Sequence, residues 1–293
     1  MIVDAHHHLW TVEGGYTWLD SVELAPIRRT FTPADLRTEL AAAGVSRSVL
    51  VEGGRCDDEE GPLLLSYAES TPEIAGVVAW ADPTSPVLAD RLRRLPEVPG
   101  GQYLVGIRPQ VQAEPADYLD RPDVRAGIAA IGAAGLAFDL VIRVDQLASA
   151  ARVAAALPQV RFVLDHLGKP RIRAGAEGFA EWRDGIAALA ALPNVSAKLS
   201  GLVTEADWGS WSVADLRPYV AEALDRFGAH RLMYGSDWPV CLLAASYGQV
   251  LAALEEALPA LSEVERAAVF GGTAVDVYRL PAALQVRRIA PRR

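Results

Sequence analysis

Short apolar segments recur along the chain, and their spacing restricts the fold more than any other feature. Eight of them are rich in β-branched residues and continuously apolar, as strands buried on both faces of a parallel sheet are. They span residues 2–5, 48–52, 76–80, 104–108, 138–143, 160–164, 195–199 and 231–234. Amphipathic segments fill the intervals between them. Strand and helix thus alternate eight times, which predicts an α/β fold of the (β/α)8 barrel (TIM barrel) type.

Local helix signals agree with this alternation. Thr32 is a helix cap and Pro33 a first-turn proline before an amphipathic segment, and Gly44 is the glycine that terminates it. Ser262 and Glu265 form a capping box before a late helix. No GxGxxG follows the first strand, so a dinucleotide-binding fold is not supported. Without a linker rich in Ser, Pro or Gly, residues 1–293 are expected to form one domain, with residues 11–30 as an active-site loop.

Charge and composition exclude several classes of partner. The net charge is −9 and no basic stripe is present, so we expect no nucleic-acid partner. The arginine-rich residues 91–94 and 287–293 are interpreted as a solvated helix face and a frayed terminus. No apolar run approaches the length of a membrane span. The chain has only two cysteines, Cys56 and Cys241, which indicates a reducing cytoplasm. Cys241 is interpreted as a buried structural thiol. Whether the chain forms a homo-oligomer is left open.

The first predicted strand leads into three consecutive histidines. Because strand side chains alternate, His6 and His8 point to one side and His7 to the other. Two imidazoles on one side can bind one divalent ion. Such a pair alone is weak evidence, and a structural role or an added tag stays open. The barrel prediction places the pair at the carboxyl ends of the strands, where barrel enzymes have their active sites.

The last predicted strand ends in a buried-looking acid. Asp237 precedes Trp238 and Pro239, and a carboxylate in such apolar surroundings requires a cation or hydrogen-bond donors. In a closed barrel the eighth strand lies beside the first. Asp237 is therefore expected next to His6 and His8, and the alternative is a capping aspartate in a loop.

Most of the other predicted strands also end in a polar or charged side chain. A lysine in an apolar strand is costly unless it is paired, and Lys198 is such a residue. Each of these residues alone could belong to a structural salt bridge, but together they predict a polar pocket on one face. His230 precedes the eighth strand at the opposite end and is interpreted as structural. The strand-end residues are Glu52, Arg108, Arg143, His166 and Lys198.

The segments DAHHHLW, GIRP, LDHLGKP, KLSG and MYGSDWP together resemble the amidohydrolase superfamily, and more narrowly its amidohydrolase-2 group of sugar lactonases and pyrone-dicarboxylate lactonases. The resemblance implies hydrolysis of a C–O or C–N bond. It implies that His6, His8 and Asp237 bind a metal or activate water, that His166 is the strand-six histidine, and that Arg108 grips a substrate carboxylate or carbonyl. Two-metal members carry a lysine or glutamate on strand four and a histidine on strand five, where this chain has arginines. A bridged two-metal site is therefore not expected.

The resulting hypothesis is hydrolysis of a small lactone, a sugar acid lactone in particular. One divalent ion, Zn²⁺, would be held by His6, His8 and Asp237 with Glu52, and a metal-free version is left open. Asp237 would act as general base. The remaining assignments are His166, Lys198 or Arg108 as oxyanion stabilisers, and Trp18, Arg143, Trp238 and Arg108 as substrate contacts. A non-oxidative decarboxylase of an aromatic or muconate-type acid and an inert binding barrel are the alternatives.

Overall fold

The computed structural model describes residues 1–281, which form an eight-stranded barrel of parallel strands. Each strand pairs with the next one along the chain, and the predicted (β/α)8 fold is confirmed. After β8 the chain pairs with the end of β1, where His8 N donates to Trp238 O at 2.7 Å. The strands are β1 (Val3–His7), β2 (Arg47–Val51), β3 (Ile74–Ala79), β4 (Leu104–Ile107), β5 (Ala137–Leu140), β6 (Phe162–Leu164), β7 (Val195–Leu199) and β8 (Leu232–Tyr234).

Helices surround the barrel, and the predicted helix caps are present. The Thr32 side chain accepts from Asp35 N at the start of α1, and Gly44 ends that helix with φ 67°. Ser262 and Glu265 form the predicted capping box. The helices are α1 (Pro33–Ala43), α2 (Glu60–Ser70), α3 (Leu88–Arg94), α4 (Pro122–Ala133), α5 (Leu147–Ala156), α6 (Gly175–Ala190), α7 (Leu202–Glu205), α8 (Val213–Phe227), α9 (Tyr247–Ala257), α10 (Glu263–Ala267) and α11 (Thr273–Tyr278).

The core has two apolar layers, one between the strands and the helices and one inside the barrel. The interior layer contains Val3, Val49, Val163 and Met233 from different strands, together with Leu280 from the segment after α11. Such interior side chains pack a TIM barrel solid rather than leaving a pore. Towards the carboxyl ends of the strands this apolar filling gives way to charged and polar side chains, which form the site described below.

The pairing of β1 with β2 shifts between Asp4 and His7. Val3 and Ala5 belong to the interior apolar layer. Strict alternation from these residues would turn His7 inward, but the irregularity changes the phase by one residue. As a result His7 bonds the Ser48 hydroxyl at 3.0 Å, and His6 and His8 face one another inside the barrel mouth with their Nε2 atoms 3.1 Å apart.

Residues 11–30 leave the barrel between β1 and α1 at the face where the strands end. The segment contains two short 3₁₀ turns, Thr17–Asp20 and Val22–Ile27. Its base is closed by a bridge between Trp10 and Phe31, and Trp18 Nε1 donates to Gly53 O at 2.8 Å. The loop is therefore tied to the carboxyl end of β2, beside the predicted site.

Three further expectations concern the chain as a whole. Among residues 1–281, no helix combines the length and apolar character needed to cross a membrane. Cys56 and Cys241 are both free thiols, the first exposed and the second buried. The arginine-rich segment at residues 287–293 lies outside the described residues.

Candidate active site

Four side chains from three strand ends meet at the centre of the barrel mouth. His6 and His8 come from β1, His166 follows β6 and Asp237 follows β8. Asp237 Oδ1 lies 3.7 Å from His6 Nε2, 3.6 Å from His8 Nε2 and 3.9 Å from His166 Nε2. All four residues are at most 5% exposed. We call these four residues the mouth cluster.

A left-handed turn of the backbone positions His166. Its φ is 52°, and the next three residues also have positive φ values, of 51°, 75° and 54°. Residues with side chains seldom adopt this conformation, so the surrounding packing must hold it in place. Ser200 Oγ lies 2.9 Å from His166 Nδ1, and a Cβ at Gly201 would lie 2.5 Å from the same atom. The end of β7 therefore fixes the imidazole so that Nε2 faces Asp237.

Hydrogen-bond partners determine which nitrogen of His8 carries the proton. Its Nδ1 lies 3.0 Å from Val51 O, which can only accept, so Nδ1 is protonated and Nε2 offers a lone pair. His6 has donors beside both nitrogens, Arg108 Nη1 at 3.3 Å from Nε2 and Lys198 Nζ at 3.1 Å from Nδ1. Asp165 Oδ1, 3.4 Å from His6 Nδ1, can accept a proton from that atom. With the proton there, both Nε2 lone pairs point to one place.

Burial keeps the imidazoles of His6 and His166 neutral. It lowers the pKa of His6 well below its ordinary value and lowers the pKa of His166 to about 4. Burial alone would raise the pKa of Asp237, but the neighbouring side chains of His166 and His8 outweigh it, so the pKa of Asp237 lies below its ordinary value. The mouth cluster thus combines the neutral imidazoles of His6 and His166 with an ionised carboxylate, which is a set suited to binding a cation or accepting a proton.

A second layer of charges lies beneath the mouth cluster, inside the barrel. Lys198 is fully buried, with Nζ 2.7 Å from Asp139 Oδ2 and 2.8 Å from Asp165 Oδ1. Tyr278 OH also donates to Asp139 Oδ2, at 2.6 Å. Burial would raise the pKa of Asp165, but Lys198 and His6 outweigh it and hold the pKa well below the ordinary range. Lys198 therefore lies behind His6 in a fixed ion-pair network, away from the open mouth.

Arg108 and Glu52 form another closed unit of this interior layer. Arg108 Nε donates to Glu52 Oε1 at 2.6 Å, Nη2 donates to the Glu52 carbonyl at 2.6 Å, and Nη1 donates to Asp165 Oδ2 at 3.0 Å. Glu52 also accepts from Gln110 Nε2 at 2.5 Å and from Gly54 N at 2.7 Å. Both carboxylate oxygens of Glu52 are occupied in this way. The residue lies outside the group of His6, His8 and Asp237.

The structure does not bring all the predicted substrate contacts to the mouth cluster. β5 ends at Leu140, so the predicted strand runs three residues too far. Arg143 consequently lies in a loop, half-exposed, where it pairs with Asp145 at 3.0 Å. Trp238 is buried and packs edge-on against Phe31. Trp18 lies in the 11–30 loop, partly exposed.

Three residues that sequence reasoning missed complete the site, namely Asp139, Asp165 and Ser200. Asp139 stands between Phe138 and Leu140 in an apolar strand, so the argument that identified Lys198 would have found it too. Asp165 directly precedes His166 and was overlooked beside it. Ser200 carries no signal by itself, because a serine at a strand end is common.

The family can now be assigned from comparison with known proteins. The amidohydrolase family model matches residues 3–280. This chain belongs to the amidohydrolase family. Among amidohydrolases it is 38% identical to an L-fucono-1,5-lactonase of Burkholderia multivorans, over 95% of this chain and 96% of that one. An L-fucono-1,5-lactonase of Burkholderia ambifaria is 37% identical, over 95% of each chain.

A solved amidohydrolase has nearly the same architecture. The structure of an amidohydrolase from Burkholderia multivorans with bound zinc superposes with a TM-score of 0.90 at 37% identity, covering 96% of this chain and all of that one. The resemblance predicted from the strand-end motifs is confirmed by these matches.

Proposed function

We propose that this chain hydrolyses the ester ring of a sugar acid lactone. The observation that carries the proposal is the mouth cluster, in which one carboxylate faces three imidazoles at 3.6 to 3.9 Å. Two relatives that align over almost the whole chain are named L-fucono-1,5-lactonases, which supports a hydroxylated lactone as substrate. The single product would be the open-chain hydroxy acid, formed from one lactone and one water.

The mouth cluster also fits one divalent ion. His6 Nε2, His8 Nε2 and Asp237 Oδ1 form a triangle with sides of 3.1, 3.6 and 3.7 Å. Donors around a tetrahedral zinc, with bonds of about 2.0–2.2 Å, lie roughly 3.3–3.6 Å apart. A structure of a relative contains bound zinc, which supports zinc as the metal. Zn²⁺ held by His6, His8 and Asp237 is therefore our proposal.

A second ligand group, formed by His6, Asp165 and His166, is less suited to an ion. Asp165 is already engaged by Lys198 and Arg108, and a second dication would have to compete with both. We propose a single ion for that reason. When bound, it supplies Lewis acidity, which polarises a carbonyl and lowers the pKa of water.

The residues of this chain supply the proton transfers. Asp237 accepts a proton from the attacking water and returns it to the ring oxygen when the C–O bond breaks. If the Ser200 hydroxyl donates to His166 Nδ1, the proton of the neutral imidazole sits on Nε2, where it can bond the developing oxyanion. Lys198 and Arg108 are occupied by carboxylates, so their proposed role is to hold His6 and the interior layer in place.

A panel of neutral aldono-1,5-lactones, including L-fucono-1,5-lactone, tests the proposal with a pH indicator that detects acid release. We expect turnover with at least one member and its near-complete loss in Asp237→Asn. The parallel assay is CO₂ release from aromatic acids. Decarboxylation without lactone hydrolysis would replace the proposal with the decarboxylase alternative.

Zinc content and chelation test the metal separately. We expect about one zinc per chain and loss of activity when a chelator removes it, with recovery on adding Zn²⁺. His8→Ala removes a proposed zinc ligand and should therefore lose both bound zinc and activity, as chelation does. Full activity in metal-stripped protein would eliminate the ion from the reaction and leave the metal-free version.

A further inference from the structure

A cavity of about 330 Å³ opens where β3 and β4 end, on the face that also holds the mouth cluster. Its lining includes Trp80, directly after β3, and Pro109 and Gln110, directly after Arg108. Arg108 contacts His6, and Gln110 bonds Glu52, so the cavity wall is joined to the site through adjacent residues. Its volume lies within the usual range for small-molecule pockets, roughly 300–1,000 Å³.

Aromatic surface and hydrogen-bonding groups are combined in this cavity. Trp80 is half-buried, with the Arg91 guanidinium 5.1 Å from its ring centre. Tyr118, which is only 8% exposed, also lines the cavity. A flat indole ring beside a phenol that can donate or accept a hydrogen bond suits a ligand that presents both C–H faces and O–H groups. Sugar derivatives have both.

The charge of the cavity is negative. Asp82 and Glu114 line it, and neither forms an ion pair within the described part of the chain. Arg121 also lines the cavity but is paired with Asp123 at 2.5 Å, and the nearby Arg143 is paired with Asp145 at 3.0 Å. Burial, together with Asp82 and Glu114, raises the pKa of Tyr118 to about 12, which agrees with both carboxylates lying close to its hydroxyl.

We propose that this cavity binds the hydroxyl-bearing part of an uncharged sugar lactone, and that Asp82 and Glu114 select against lactones that carry a free carboxylate. This inference rests on the proposed function and specifies its substrate. Carboxylates accept hydrogen bonds from sugar hydroxyls and repel an anionic group. The hydrolysis product is itself an anion, so the same two residues weaken product binding relative to the neutral substrate.

Removing the two charges tests the selectivity. The variants are Asp82→Asn, Glu114→Gln and the double variant, assayed with a neutral aldono-1,5-lactone and with a monolactone of an aldaric acid. We expect the double variant to raise the ratio of kcat/KM for the anionic over the neutral lactone by about tenfold or more, and to tighten inhibition by the aldonate product. Asp225→Asn, on the exposed surface of α8, is the charge-matched control and should leave the ratio unchanged. A ratio within about twofold of the wild type in the double variant would overturn the selectivity proposal.

Trp80 tests the location of the site. Trp80→Ala should raise KM for the neutral lactone about tenfold with little change in kcat, and Trp80→Phe should recover most of the loss because it keeps a ring. Thermal unfolding of each variant shows whether it is folded. An unchanged KM in folded Trp80→Ala, with wild-type activity present, overturns the cavity assignment and leaves the proposed function intact.

Failure of the proposed function can be told apart from failure of the cavity assignment. If the wild type hydrolyses no lactone, the proposed function fails, and calorimetry with a neutral aldonolactam then tests the cavity directly. Binding to the wild type that is lost in Trp80→Ala supports the cavity as a sugar site. Absence of binding, or equal binding to both proteins, overturns it.

Discussion

The mouth cluster and the interior layer beneath it each contain a buried carboxylate, but the two carboxylates have different surroundings. Asp165 in the interior lies 2.8 Å from Lys198 and 3.0 Å from Arg108. Asp237 at the mouth has only imidazole nitrogens within ion-pair distance among the described residues, at 3.6 to 3.9 Å. The interior charge is neutralised by the protein itself, whereas the mouth charge is left for an ion, a water molecule or a proton. The difference separates residues that hold the site from residues that react.

Loss of the mouth carboxylate should have the largest effect on activity. Asp237→Asn keeps the shape of the side chain but removes the base, so kcat for lactone hydrolysis should fall by about 10²–10⁴-fold. The melting temperature of the metal-free protein should change little, since no cation of the chain depends on this residue for neutralisation. Steady-state kinetics on the folded variant measure the effect. Activity within threefold of the wild type would show that the proton goes elsewhere.

Loss of the interior cation should instead affect stability. Lys198→Met keeps the volume but leaves Asp139 and Asp165 without their shared ammonium group, which should lower the free energy of unfolding by about 3–5 kcal/mol. Urea denaturation measures this loss. Adding Asp139→Asn to the variant removes one unpaired carboxylate and should restore part of the stability. A loss below about 1 kcal/mol would contradict the distinction between the two layers.

Ser200→Ala should reduce activity, but less than Asp237→Asn does. It removes the hydroxyl beside His166 Nδ1, so the imidazole loses the partner that orients it. Loss of a partner that orients a functional histidine should cost about 10–100-fold in activity, by analogy with the partners of metal-bound histidines, while zinc affinity should change little. Kinetics and zinc titration of the variant check the prediction. Ser200→Thr keeps a hydroxyl and is the matched control, which should retain more activity than the alanine variant.

A partly exposed carboxylate, Asp120, should give the smallest effect on stability and serves as the reference for the interior pair. Asp120 bonds Arg152 and Arg125, and the hydrogen bond from Arg152 lowers the pKa of Asp120 to about 2. Its stabilising contribution is complete above the ordinary pKa of 3.8 and is lost as the pH falls through 2. Asp120→Asn should cost under about 1 kcal/mol at pH 7, because water screens the pair. Urea denaturation of both proteins at pH 7 and pH 3 should show the difference shrinking at the lower pH.

The sequence predicts the barrel and the centre of the mouth cluster, because both depend on short-range rules. Continuous apolar segments indicate buried parallel strands, and strand order in a closed ring brings Asp237 to His6 and His8. The same rules do not locate strand ends. Val141 and Ile142 extend an apolar run beyond β5, so hydrophobicity placed Arg143 at a strand end that it does not occupy.

The partners of the charged side chains could not be predicted either. Arg108, Lys198 and Glu52 each looked available when considered alone, yet the fold pairs them with one another or with Asp139 and Asp165. Pairing between side chains depends on their positions in space, which spacing along one strand does not give. The irregularity in β1 is similar, since it alters which side chains face inward without any clear mark in the sequence.

Ring closure also has a consequence for how this enzyme is made. His6 and His8 leave the ribosome first, and Asp237 follows only after the eighth strand, so no shorter nascent chain contains the assembled reaction centre. Backbone bonds between these two segments, such as Asp237 N to His6 O at 2.8 Å, complete the ring and the reaction centre together. During refolding, regained catalysis therefore reports the joining of the first and last strands, whereas circular dichroism reports the formation of the helices.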